Sequence, residues 1–222
     1  MAYFTQDFLD FFTELADNNH KDWFDEHRKR YKTSVKEPFE AFVDKLIDRV
    51  QEEDPSVMMT AKEAIFRINR DIRFSKDKTP YKTQMSAIIS AGGKKNKSYP
   101  GLYVEVKPSG VGYYGGAYVL EKEEIHRVRT AIAQDPEGFA ELLAQPDFAD
   151  TFGTLQGDKH KRLPAEFKEV GEIQPLIFNK SFYYNADIPA SHILNDDLVD
   201  VIMEHFRKAR PVQEWLIEAL YP

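Results

Sequence analysis

The sequence predicts an α+β protein, with a central antiparallel sheet flanked by N-terminal and C-terminal helices. Three observations carry this expectation. Apolar residues recur at helical spacing through the first 53 positions, short β-rich runs cluster between 65 and 114, and the helical period returns from Glu121. Strands that follow one another in a block, with helices before and after, argue against a doubly wound parallel sheet. A single α+β domain over 1–222 is expected, with 1–53 as a helical N-terminal subregion.

Taken in order, Phe8, Leu9, Phe11, Phe12 and Leu15 follow a Thr5 suited to capping, which predicts a first amphipathic helix over 5–17. From Lys21 the pattern resumes, and Trp23, Phe24, His27 and Tyr31 fall along one stripe of a longer helix. Pro38 predicts a kink or break near Lys36-Glu37, after which Phe39, Phe42, Val43, Leu46, Ile47 and Val50 carry a second helical segment to Glu53. Beyond Asp54-Pro55 the period shortens to two. Residues 65–74, 85–90 and 102–106 read as strands, and Pro108-Ser109-Gly110 reads as the turn of a hairpin into 111–114. Helical character covers 121–143, an extended arm covers 180–188, and two closing helices over 196–209 and 212–220 are split by Pro211.

Composition narrows the chemistry. The 222 residues are 42% hydrophobic and 30% charged with no low-complexity tract, which fits a globular protein. No apolar run is long enough for a bilayer span, so no membrane partner is expected. The start Met1-Ala2-Tyr3-Phe4-Thr5-Gln6-Asp7 lacks the basic and apolar regions of a signal peptide, and a cytoplasmic location is expected. With no cysteine, the chain has no disulfide, thiolate nucleophile or cysteine-ligated metal. Its six histidines form no HxH or HExxH pattern, so no metal site is expected. No residue is assigned a catalytic role, no cofactor motif is identified, and the oligomeric state is left open.

Charge is distributed unevenly. The chain carries −7, yet residues 62–97 hold ten Lys/Arg against Glu63, Asp71 and Asp77, a local +7 that leaves −14 elsewhere. An acidic body opposes a general phosphate coat but not a local pocket for one anion. Within 65–74, a strand would put Arg70 on the face shared by Phe66, Ile68, Ile72 and Phe74, where a guanidinium needs a buried carboxylate or a bound anion, whereas a helix over 61–69, the alternative, would remove that facial argument. Thr79-Pro80 is suited to start a short helix whose free N–H groups would lie beside Lys76, Lys78 and Lys82. No glycine lies between Arg67 and Gly92, so this is not the phosphate loop of nucleotide hydrolases. Flanking cations are expected to lower the pKa values of Asp71 and Asp77.

Further along, Gly115-Gly116 allows either a bulge or close approach of a ligand, and Gly157-Asp158-Lys159-His160-Lys161-Arg162 reads as a second basic turn. Lys180-Ser181-Phe182-Tyr183 places a cation beside aromatics, and Tyr113, Tyr114, Tyr118 and Phe182 are either packing residues or stacking platforms. Glu105-Val106-Lys107 has the acid-x-Lys spacing of many metal-dependent nucleases, which an alternating strand face also produces.

Asn19 with Trp23-Phe24 and Tyr31, the run Arg70 to Thr83, Gly115-Gly116, Gly157-Asp158 with Lys161-Arg162 and Pro164, and Lys180 to Tyr183 together resemble the successive motifs of a widespread bacterial and fungal family. That family is known as a conserved domain of unknown function. The resemblance implies a single α+β domain and a shared site, but no reaction. The chain departs from the pattern at Ala117, where a further glycine is frequent, and at His160, where the pattern has an apolar residue.

The expectation is a pocket for a small phosphorylated or carboxylated ligand, lined by Arg70, Arg73, Lys76, Lys78, Lys82, Gly115, Gly116, Lys161, Arg162 and Lys180. The alternatives are a nucleic-acid binding or processing protein, which the net charge disfavours, and a non-catalytic interaction module whose charges lock helices to the sheet.

Overall fold

In the computed structural model, which describes residues 2–222, the first helix α1 (Gln6–Asp17) buries Phe8, Phe11, Phe12 and Leu15. Met1, which opens the start segment considered above, lies outside the described residues. Thr5 occupies the capping position, but its side chain makes no capping bond. The long helix expected from Lys21 is instead subdivided. It comprises α2 (Lys21–Glu26), a single turn α3 (Arg28–Arg30), a π-helical turn (Tyr31–Lys36) and α4 (Glu37–Glu53). Pro38 does not break the chain, because it sits in the first turn of α4, where a missing N–H costs nothing. The widened turn just before it lets the helix run past the proline ring.

Two interleaved compact units make up the chain. Of the described residues, the first holds those through Ile89, Tyr103–Tyr113 and Asp187–Met203, and the second holds Ser90–Leu102, Tyr114–Ala186 and Glu204–Pro222. The core of the first unit is aromatic: Phe8 packs on Phe4 and Phe12, Phe11 on Phe12 and Phe24, and Phe39 on Phe42. Four strands, β1 (Met85–Ile89), β2 (Leu102–Lys107), β3 (Gly110–Ala117) and β4 (Phe182–Pro189), form one antiparallel sheet in the order β1-β2-β3-β4. The turn expected at Pro108-Ser109-Gly110 joins β2 to β3, and Gly110 takes φ +148 there. The α+β class, with helices N-terminal and C-terminal to the sheet, is as expected.

Residues 65–74 are not a regular strand. After the four-residue helix α5 (Ala61–Ala64), closed by a Thr60/Glu63 capping box, the chain pairs with 80–87 only through the bridges Ile65 to Ala87 and Asn69 to Tyr81. The Arg70 N–H donates to the Pro80 carbonyl, and the Lys82 N–H donates to that of Ile68. Beyond Arg70 the pairing stops, leaving 71–79 as the tip of an irregular hairpin.

The second unit is built from α6 (Lys122–Gln134), α7 (Pro136–Leu143), α8 (Pro146–Phe152) and α9 (Lys168–Ile173), with the end of α10 (Leu198–Leu220). Phe139 packs on Trp215, and Phe148 and Phe152 pack on Tyr184. The two closing helices expected around Pro211 are one helix. Burial of Ala209, Val212, Leu216 and Leu220 along one face offsets the hydrogen bond that the proline removes.

Candidate functional site

A groove of about 680 Å³ opens on the first unit, walled by α2 through α5, the arm 65–69 and β1. Its shape follows from how the arm is fastened. Asn19, in the break between α1 and α2, presents its side-chain amide to Tyr81 as a strand would. Its Nδ2 donates to the Tyr81 carbonyl at 2.9 Å, and its Oδ1 accepts from the Tyr81 N–H at 3.0 Å. The Tyr81 ring stacks on Phe24 at 4.1 Å between centroids, and Phe24 meets Tyr31 at 5.1 Å. Phe24 and Tyr31 belong to the groove lining, together with Phe66, Arg67, Met85 and Glu40. Burial pushes the Tyr31 phenol up to about 12, so at neutral pH it is an uncharged hydrogen-bond donor. Its hydroxyl lies 3.9 Å from the Met85 sulfur.

Charge on the groove is mixed. Arg28 pairs with Asp25, and Lys36 pairs with Glu40 at 3.5 Å. Arg67 is exposed at the edge, and no carboxylate among the described residues lies in ion-pair range of it. Half-buried Lys82 rests its ammonium 5.4 Å over the Phe66 ring and likewise has no ion-pair partner. Its pKa is lowered, first by burial and then by the Arg67 charge, against a smaller raising effect from Glu105. Neither of these two neighbouring positive groups has an ion-pair partner among the described residues, and Lys82 lies against the Phe66 ring.

Three other cations of this segment, Arg70, Arg73 and Lys78, are occupied within the tip. Arg70 does not lie on an apolar strand face: its guanidinium donates to the Asp77 carboxylate and to the Thr79 hydroxyl, and Phe74 is 96% exposed. The Arg73 guanidinium holds the Asp71 carboxylate through Nε at 2.9 Å and Nη2 at 2.6 Å. Lys78 donates to the Ile72 carbonyl at 2.8 Å, and Lys76 is exposed. No helix starts at Thr79-Pro80, because the Asp77 carboxylate takes both the Thr79 N–H and its hydroxyl, and Tyr81 goes into the arm pairing. The expected lowering of both aspartates is present. Asp77 is held at about 2 by the Thr79 backbone N–H and then by Arg70, and Asp71 is lowered chiefly by Arg73.

The remaining expected residues lie in the second unit. A Cβ on Gly115 would come within 2.4 Å of the Tyr184 hydroxyl, and one on Gly116, at φ +93, within 2.3 Å of the Phe182 carbonyl. Strand β4 itself makes the close approach at both glycines. Segment 156–160 pairs antiparallel with 178–183 through the bridges Gln156 to Tyr183 and Lys159 to Asn179, and it is thus an added extended edge rather than a free turn. Lys161, Arg162 and Lys180 are exposed at its end. Of the aromatics considered for stacking, Tyr113 and Phe182 are fully buried, and Tyr118, 65% exposed, meets Tyr183 edge-on. Glu105 and Lys107 form an ion pair at 3.1 Å on β2. Among the described residues, no group of three or more His, Asp or Glu side chains is placed to hold a metal ion.

Of the expected ligand residues none is in the groove lining, which Arg67, Phe66 and Tyr31 share, and Lys82 stands next to it over the Phe66 ring. The signal of these three lining residues was present in the helical stripe that ends at Tyr31 and in the apolar–basic alternation of the arm. No described helix is long and apolar enough to cross a membrane. Residues 7–215 match the model of a family described as a conserved hypothetical protein, DUF2461. No curated protein matches the chain.

Proposed function

We propose that this chain, which belongs to the conserved hypothetical protein family DUF2461, binds a small phosphorylated or carboxylated ligand in the groove of its first unit. One observation carries the reading: Arg67 lines the groove, Lys82 lies over the Phe66 ring of its wall, and neither neighbour has a carboxylate in ion-pair range among the described residues. Like charges held side by side disfavour each other, and an anion between them removes that cost and adds charge-assisted hydrogen bonds. Phe24 and Phe66 supply an apolar wall for the body of the ligand, and the Tyr31 hydroxyl supplies a neutral donor. The tip cations contribute less in this reading, since Asp71 and Asp77 already occupy Arg73 and Arg70.

Thermal melting at low ionic strength with phenyl phosphate, benzoate and inorganic phosphate tests the proposal. A ligand at one hundred times its dissociation constant stabilises by about 2.7 kcal/mol. The expected outcome is a saturable rise in melting temperature with phenyl phosphate or benzoate. That rise should be lost in Arg67→Ala and in Lys82→Ala and kept in Arg73→Ala. A melting temperature indifferent to all three compounds, or a shift that survives both substitutions, would overturn it.

A further inference from the structure

The groove of the first unit carries a negative charge that an anionic ligand alone does not explain. Lys36, Glu40 and Asp44 recur at four-residue spacing where the π-helical turn runs into α4, so they rise along one helical face, and all three line the groove. Lys36 and Glu40 pair at 3.5 Å and offset each other. Asp44, one turn further on, is exposed and has neither a hydrogen bond nor an ion-pair partner among the described residues.

Arg67 lines the same groove from the arm and is equally without a partner in ion-pair range among the described residues. Two open charges of opposite sign therefore share one cavity of about 680 Å³ without meeting each other. An open carboxylate repels a ligand that is only anionic, whereas it attracts one that also carries a cation. Phe24, Tyr31 and Phe66 belong to the same lining, and aromatic faces accept an ammonium group as readily as an apolar body. Glu40 extends the negative field to the Tyr31 ring, whose phenol it raises after burial does.

We propose that the ligand of this groove is zwitterionic: a phosphate or carboxylate held at Arg67, joined through an apolar or aromatic body to an amine held at Asp44. This rests on the groove reading above and narrows it, since a plain anion answers only one of the two open charges. An alkylammonium group is protonated at neutral pH and has three N–H donors, which matches a carboxylate that has no other partner. Selectivity then comes from both ends. Asp44 disfavours anions that lack the amine, and Arg67 disfavours amines that lack the acid group.

Calorimetric titration of the intact chain at low ionic strength with paired probes tests this. The amine probes are para-aminomethyl, para-aminoethyl and para-aminobutyl phenyl phosphate, each set beside a para-alkyl phenyl phosphate of matching length, so that the ammonium group is the one difference. For at least one length, the amine is expected to bind about threefold tighter or more, a modest gain because Asp44 is exposed. Asp44→Asn should abolish that preference while the alkyl probe binds no more weakly, because a repelling charge is gone. Arg67→Ala should weaken both members of the pair. Equal affinity within every pair, or a preference that survives Asp44→Asn, would overturn the zwitterion assignment. Alkyl probes that still bind in that case would leave the anion reading standing, whereas silence of every probe would overturn both.

Discussion

At Gly116 the backbone lies at φ +93, and a Cβ would fall 2.3 Å from the Phe182 carbonyl, so neither the conformation nor the space admits a side chain. Gly93, at φ +64, has nothing within 4 Å of such a Cβ. Urea denaturation is therefore expected to show Gly116→Ala losing well over 2 kcal/mol, from strain plus overpacking, while Gly93→Ala loses about 1 kcal/mol, from strain alone. Equal losses would contradict this account. Paired glycines were legible as a place of close approach, but the approaching partner was not, because β4 arrives from a distant part of the sequence. The Asp77 carboxyl gives a second test at this scale. Its folded pKa of about 2 lies below the ordinary value near 3.9, so its grip on Thr79 and Arg70 is complete above about pH 4 and is lost as pH falls through 2. A carboxyl midpoint near 2 in a carbon-detected NMR titration is expected, and a midpoint at the ordinary value would refute the tip geometry.

Among the elements, the hairpin arm and α10 show where periodicity stops being a guide. Alternation of apolar and polar residues continues to Phe74, yet pairing ends at Arg70 because side chains take over the backbone groups: Asp71 accepts the Arg73 N–H, and Asp77 accepts that of Thr79. Such local bonds compete with a ladder and close the tip. The short spacing from Asp71 to Arg73 and from Arg70 to Asp77 also explains why these two arginines of a net +7 segment are taken up within the tip, since counting charge does not reveal pairing. In α10, Pro211 was read as a divider, but apolar burial on both sides of it keeps the helix continuous. Its ring removes one helical hydrogen bond, so Pro211→Ala should raise stability by about 2 kcal/mol in thermal melting. A lower melting temperature would mean that the proline bend is itself required for packing.

Across the whole molecule, the α+β class was legible because the helical stripes, the period-two runs and the Pro108-Ser109-Gly110 turn all agree with one architecture. The two-unit division was not, because each unit is assembled from three separated segments. Nor was the groove, whose wall depends on Asn19 holding Tyr81 across 62 positions. The chain is acidic at −7, yet among the described residues Arg67 and Lys82 have no ion-pair partner beside Phe66, and the functional reading rests on that pair. The most direct measurement is a phenyl phosphate titration of the isotope-labelled chain, followed at every backbone amide. Saturable shifts are predicted at Phe66, Arg67, Lys82 and Met85, on the groove and its edge. Silence at those four positions, or shifts confined to the tip 71–79, would contradict the proposed ligand site.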